Sequence, residues 1–560
     1  MTSQPRSLFV TLALAVFLLF SLAGLGFYWI LAHSSLPLLA GGVERAPITT
    51  AFIPKQSSVV LSLLVNPDRL ESFAQLVVDP QRRRRTHREI RELEQSLLAK
   101  TGLEYEREVQ PWLGEEMTLA VTDLDYDHQA NNGIQPGYLL VVHSKDPQLS
   151  REFLQLAYAR ASIAGTSDLV YDTYQGVNLT YQRPRQPTSN SNLLASAVVG
   201  DYVLFANHPR VLRQSLASLQ APGLKLDDSP AFQAALQSLD SPRIALLYAN
   251  FPVLSAWLSQ QAKPETPALD QTLTLSLALR AQGLVAKTAL TGVTAPPQAL
   301  PALTQPVSTL SLIPNRSGLM ASGHNLQALW QQIQTGLAPQ SPLQQTLERL
   351  VDNLQNPLGL DLAQDIFAWV QGDYSLMLLP GQKNARFDWA FVAERLANTP
   401  VEEAFAHLDN LAHEQGYETT TLPVREQSVR AWTKLTANAI NQVTTLEAQV
   451  RGAYLLQDER VIFATSLEAL SQVLQPEKEA LINSETFLKA ISALPTENQG
   501  YVYIDWPASE TFLAKQFPFL RVVELSLKPL FNNLRSLTLA SEGQTENVRK
   551  TTAYFNLGVQ

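Results

Sequence analysis

Cysteine is absent from this sequence. That excludes disulfide staples, thiolate zinc sites, iron–sulfur clusters, cysteine nucleophiles and lipid attachment through a lipobox cysteine. Charge is scarce as well: 17% of the 560 residues are charged, against an ordinary fraction of about 25%. The balance is mildly acidic, net −9, and so lacks the basic footprint of a nucleic-acid binder. Histidine numbers only eight. No two are spaced to ligate a metal from one helix face, and no H-E-x-x-H occurs. Nucleophile elbows, S-x-x-K pairs, Walker loops and G-x-G-x-x-G turns after a strand are missing too. The chain therefore reads as a non-enzyme without cofactor or metal.

What is present begins with one long apolar run. Leu8 to Leu31 is uncharged over 24 residues, enough for a helix to span a bilayer, which takes about 20. Arg6 precedes it and the next charge is Glu44, so the positive-inside preference places Met1 in the cytoplasm and the bulk across the membrane. A cleaved signal peptide would have a shorter apolar core and a small-x-small site, whereas this core runs into Phe27, Tyr28, Trp29 and Ile30. Residues 1–35 are thus expected to be a cytoplasmic stub and signal-anchor, and 36–50 a stalk.

Several landmarks recur in order at nearly constant separation. Phe52-Ile53-Pro54 matches Leu312-Ile313-Pro314 at an offset of 260, and Trp112-Leu113-Gly114-Glu115-Glu116 matches Trp369-Val370-Gln371-Gly372-Asp373 at 257. Gly200 to Asn207 matches Asp458 to Thr465 at 258, while Ser229-Pro230-Ala231-Phe232 and Tyr248-Ala249-Asn250 match Ser484 to Phe487 and Tyr503-Ile504-Asp505 at 255. An internal duplication follows from this order: one copy over 50–295, a Pro-rich linker at 296–302, and a second copy over 303–560. Strand-like runs at 59–65, 117–121, 138–143, 170–174, 177–181, 194–199 and 202–206 alternate with helices at 145–161 and 210–219. The fold expected is α+β, an antiparallel sheet with helices in each copy, behind an N-terminal transmembrane helix.

The chemistry-bearing candidates are few. Asp123, Asp125 and Asp127 resemble a calcium loop, but His128 and Ile134 occupy the positions that need Gly and Glu, so a solvated hairpin loop is the better reading. Arg82, Arg83, Arg84, Arg85 and Arg88 form the densest basic run, suited to an anionic headgroup or acidic partner; the acidic residues that follow also suit an exposed helix. Trp112 and Trp369 read as core.

Ile53-Pro54, the strand Leu61 to Val65, Trp112-Leu113-Gly114 and Gly200-Asp201-Tyr202 resemble a family of membrane-anchored proteins typical of cyanobacteria and catalogued as a domain of unknown function. The resemblance implies a plasma or thylakoid membrane, with the bulk in periplasm or lumen, and carries over no site residue. The function expected is non-catalytic: binding or scaffolding for a membrane-complex or envelope protein. The alternatives are a carrier or sensor of a hydrophobic ligand such as lipid or pigment, and a hydrolase with a dispersed active site.

Overall fold

The computed structural model describes residues 41–557 except 70–103, 130–132, 164–166, 185–194, 254–270, 294–299, 337–347, 349–350, 353–354, 356–358, 382–386, 441–442, 476–479, 517–523, 525–530 and positions 241, 281, 304, 398 and 546. The apolar run 8–31 and the basic run 82–88 lie outside the described residues. No helix among the described residues is long and apolar enough to cross a membrane.

In chain order the first half contains β1 (Val59–Leu63), β2 (Leu113–Asp123), β3 (Gly137–Ser144), α1 (Pro147–Ile163), β4 (Ser167–Tyr174), β5 (Val177–Pro184), β6 (Ala195–Val199) and β7 (Tyr202–Ala206). It continues with α2 (Pro209–Gln220), α3 (Pro230–Ser238), β8 (Ala245–Asn250), β9 (Thr272–Arg280) and β10 (Gly283–Thr291). The second half follows with β11 (Leu319–His324), α4 (Leu326–Gly336), β12 (Asp373–Pro380), β13 (Phe387–Glu394), α5 (Val401–Glu414), β14 (Glu418–Val424), β15 (Gln427–Ile440) and β16 (Val443–Leu456). Its last elements are β17 (Arg460–Ala464), α6 (Leu467–Val473), α7 (Glu485–Ser492), β18 (Gly500–Asp505), α8 (Trp506–Gln516), β19 (Ser536–Thr545) and β20 (Val548–Asn556).

Local chemistry accounts for these boundaries. Pro209 sits at the first position of α2, where its missing N–H is no loss, and the His208 ring accepts the Arg210 N–H as N-cap. Ser466 does the same for α6 through the Ala469 N–H. The β4–β5 turn is tight because Gln175 and Gly176 adopt φ of 48° and 79°, the left-handed conformation that a two-residue hairpin loop demands.

All described pairings are antiparallel and join twenty strands into one sheet. Across it the first-half order is β4-β5-β6-β7-β3-β2-β1-β8-β9-β10. The second-half order is β14-β15-β16-β17-β13-β12-β11-β18-β19-β20. Each strand number rises by ten, and the register follows. Val59 pairs with Val121 and Ala249, while Leu319 pairs with Leu378 and Ile504. Isolated bridges repeat too, Val43 with Arg243 against Leu303 with Asn498, and Pro54 with Lys225 against Pro314 with Ala480. The halves meet where β10 pairs with β20, Gly283 opposite Asn556 and Thr291 opposite Val548. That junction reads the same from either side. The halves are therefore parts of one sheet.

One face of the sheet carries the main cores. In the first half Val60, Ala120, Leu139, Leu246 and Tyr248 pack against α2 and α3 through Leu212, Leu216 and Phe232. In the second, Met320, Met377, Val392 and Tyr503 pack against α6 and α7 through Leu470 and Phe487. Even ring geometry recurs: Phe232 meets Tyr248 edge-on at 5.1 Å, and Phe487 meets Tyr503 edge-on at 5.2 Å. The hairpin β15–β16 departs from this correspondence, pairing out to Ile440 opposite Val443. Among the described residues, Lys434 to Ile440 and Val443 to Gln449 pair only with each other.

Candidate functional site

The opposite face of the first half carries an uninterrupted leucine row. Leu140, Leu119, Leu61, Leu247 and Leu275 stand side by side on β3, β2, β1, β8 and β9. Side chains in a strand alternate between faces, so the residues two before and two after each of these lie on the same face. The flanking rows are Tyr138-Val121-Val59-Ala249-Leu273 and Val142-Met117-Leu63-Ala245-Leu277, and none of these three rows of five contains a charge. Leu61 is 47% exposed and Leu119 43%. Large apolar side chains left in water at the centre of a sheet mark an interaction surface more often than an isolated exposed leucine does.

At its β3 end the row runs into the Trp112 cluster, where Leu140, Val142, Val203 and Phe205 pack with Leu154 and Tyr158 of α1. Trp112 follows a π-helical turn, Tyr105–Val109, and its indole N–H donates to the Glu108 carbonyl at 2.8 Å. Trp369 follows a π-helical turn, Leu362–Ile366, and donates to the Asp365 carbonyl at 2.9 Å. Both rings are buried, as the sequence reading had them. Beside Trp112 a cleft of about 150 Å³ opens, lined by Arg107, Glu108, Leu156 and Arg160 among others. Arg160 bonds Glu108 across it. Deeper in, the Tyr158 hydroxyl donates to the Thr180 carbonyl and meets Ser196 Oγ at 2.7 Å, and burial pushes its pKa up to about 12. It is a neutral core group.

A buried polar ladder occupies the core face in both halves. Thr49 donates N–H and hydroxyl to Glu116 at 2.7 and 2.6 Å, its hydroxyl meets Thr118, and Thr118 meets Ser62. In the second half the Ser308 N–H donates to Asp373 at 2.8 Å, and Thr309, Ser375 and Ser322 form the hydroxyl chain. The ladder ties the segment preceding each half's first strand to the sheet. Asp373 also meets His324 Nδ1 at 3.0 Å. Burial would raise its pKa, but the Ser308 N–H and the His324 ring outweigh that and leave it below the usual carboxylate range. The hydroxyls at Ser322 and Ser375 bond each other.

The acidic loop after β2 is closed on itself. Asp123 accepts the Asp125 N–H, Asp127 the Gln129 N–H and Asp125 the Gln135 N–H. Carboxylates used as backbone caps in this way are the usual chemistry of Asx turns. The leucine row and the Asp373–His324 pair were not singled out from sequence. Both depend on register between strands far apart in the chain.

Residues 12–557 match the family described as protein of unknown function (DUF3352), and the chain belongs to that family. No curated protein matches the chain. Among solved structures, crystal form I of TP0453 aligns at 12% identity over 45% of this chain and 81% of that one, with a TM-score of 0.24. That likeness is too loose to carry an argument.

Proposed function

We propose that this protein is a single-pass membrane-anchored, non-catalytic binding protein whose charge-free leucine face meets a membrane-complex or envelope protein. The reading places residues 8–31 in the membrane and the bulk in periplasm or thylakoid lumen. It treats the two halves as copies of one duplicated unit, a view supported by the repeated pairing order and bridges. The half exposure of Leu61 and Leu119 on that face is the observation that carries it. Arg82, Arg83, Arg84, Arg85 and Arg88 are assigned within it as a headgroup or acidic-partner contact near the anchor, because clustered guanidinium groups sum their fields.

The test places a photo-crosslinking side chain at position 61 or 119 of the membrane-borne protein, with exposed Glu152 on α1 as the control position. The same partner should be captured from 61 and 119, not from 152, and Leu119→Lys should abolish capture from 61 without lowering the melting temperature. Capture that is equal from all three positions sinks the reading. The carrier alternative rests on the cleft beside Trp112, whose roughly 150 Å³ is room for a benzene-sized group rather than a pigment.

A further inference from the structure

Three large apolar side chains of α1 stand in water at heptad spacing. Leu149, Leu156 and Ile163 are exposed, the last two to 60% and 86%. Residues seven apart lie on one side of a helix, drifting by only about 20° per step. The other side of α1 is core, where Leu154 and Tyr158 pack with Trp112, Val142 and Val203. A helix with two apolar sides has two surfaces to bury, and the sheet takes one of them. The corresponding helix of the second half lacks the stripe. α5 packs inward through Val401, Phe405 and Leu408. It turns Glu403, His407, Asn410 and Glu414 to solvent, and none of its exposed residues is large and apolar. A fold requirement would recur in both helices, as the polar ladder does in both halves. This stripe does not.

The stripe is also self-complementary about its centre. Counted from Leu156, Leu149 lies seven residues before and Ile163 seven after, Glu152 four before and Arg160 four after. Two copies of α1 laid antiparallel about a two-fold axis at Leu156 set Leu156 against Leu156 and each Leu149 against an Ile163. Each Glu152 then stands level with an Arg160 of the facing helix. Isologous contacts have this reciprocal form. Within one helix the two charges are about 12 Å apart along the axis, too far to pair. Among the described residues, Glu152 accepts the Gln148 amide at 3.1 Å and meets no cation. Arg160 gives Nη1 to Glu108, yet its side chain is 55% exposed and a guanidinium has four further N–H donors. Beside the stripe, Leu149, Phe153, Leu156 and Ala157 wall the cleft of about 150 Å³ next to Trp112, an opening that suits one apolar side chain from the facing copy.

We propose that α1 is a homodimer contact, packing antiparallel on α1 of a second copy through Leu149, Glu152, Leu156, Arg160 and Ile163. A single helix pair buries less than the roughly 1,200 Å² of stable complexes. The dimer is therefore weak in dilute solution and gains from confinement to one membrane, which raises the effective concentration. Only that gain rests on the membrane-anchored reading; the helix geometry does not. The leucine face is a different surface and keeps its own partner, whereas a crosslinker at position 152 captures a second copy of this chain.

Because the chain has no cysteine, single introduced thiols report the geometry. Full-length Leu156→Cys, Leu149→Cys and Ile163→Cys are oxidised with copper phenanthroline, both in membranes and as concentrated purified protein, and dimers are read on non-reducing gels. Leu156→Cys should crosslink to itself. Leu149→Cys and Ile163→Cys should each stay monomeric alone, because like positions in the antiparallel pair lie about 21 Å apart along the axis, beyond disulfide reach. Mixed with distinct tags, the two should crosslink to each other. Adding Glu152→Arg to Leu156→Cys should slow its crosslinking about tenfold, and mixing that protein with Arg160→Glu in the Leu156→Cys background should restore the rate. Leu119→Lys should change none of this, which separates the dimer contact from the partner face. Absence of a dimer from Leu156→Cys overturns the proposal. So does self-crosslinking of Leu149→Cys as fast as that of Leu156→Cys, the mark of a parallel pair or of random collision, or a Glu152→Arg variant that crosslinks at the parent rate.

Discussion

In the second half Trp369 is enclosed: Phe391 and Phe405 lie 6.3 and 5.9 Å from it, and Trp432, Tyr454 and Phe463 complete the cluster. In the first half the corresponding Trp112 has Phe153 at 5.3 Å and an open cleft alongside. The adjoining row differs in the same sense. Ala321 stands where the first half has Leu61, and Phe391 stands where it has Leu140. Nearby, Trp506 and Leu513 of α8 pack onto Ile504, Leu537 and Phe555. One strand order thus supports two finishes. The second half spends its aromatic residues on its own interior, whereas the first leaves large aliphatic side chains at the surface.

The largest test of that contrast compares the two tryptophans. Trp369→Ala removes a ring enclosed on all sides, and about 3–5 kcal/mol of stability should go with it. Trp112→Ala opens onto an existing cleft that lets solvent and neighbours relax into the space, so its cost should fall short of the Trp369 value by about 1 kcal/mol or more. Urea unfolding of both variants measures this. Equal losses would show that the cleft beside Trp112 is energetically closed and would remove the distinction between the halves.

How much of this was open to inspection in the sequence follows from the range of each interaction. Hairpins and caps are local. Val177 to Tyr181 beside Val170 to Tyr174, and Pro209 after His208, announce themselves within a few residues. The pairing order repeated because the landmarks at offsets of 255 to 260 sit on strands that the fold uses in the same way twice. Three things were out of reach. The single sheet depends on β10 meeting β20, some 265 residues on, and two separate sheets would leave the same local pattern. The leucine row needs the registers of five strands at once. Arg243 looks like any surface arginine until the folded chain buries it to 6% exposure, and only then do its Nε and Nη1 stand without a hydrogen bond.

A middle-sized test asks whether the polar ladders are equivalent. Thr118→Val keeps the volume and deletes the hydroxyl shared by Thr49 and Ser62, leaving Ser62 buried without its partner. A cost of about 1–3 kcal/mol is expected. Ser375→Ala deletes the corresponding hydroxyl, but Ser322 also contacts Met320 Sδ at 3.0 Å, so the loss should be smaller. Chemical denaturation of the pair reads the difference. A larger loss for Ser375→Ala would reverse the ranking and imply that the second half, not the first, depends more on its ladder.

The smallest effect concerns acid, and it separates the halves by a single partner. Asp373 is held below its ordinary pKa by the Ser308 N–H and by His324; in the first half Leu64 occupies the place of that histidine and Arg45 reaches Glu116 at 3.7 Å instead. A carboxyl whose folded pKa is depressed binds its proton more readily when unfolded. Its stabilisation is therefore complete above the unfolded value, near 3.9, and is lost as pH falls through the folded one. Both partners are partly solvated, so the size is set at about 1 kcal/mol or less. The stability gap between wild type and Asp373→Asn, followed by urea midpoints, should close progressively as pH falls below about 4. His324→Leu, which copies the first half, should reduce that acid-dependent gap. If it left the gap unchanged, the Ser308 N–H alone would account for the shift, and the histidine would cease to distinguish the two halves.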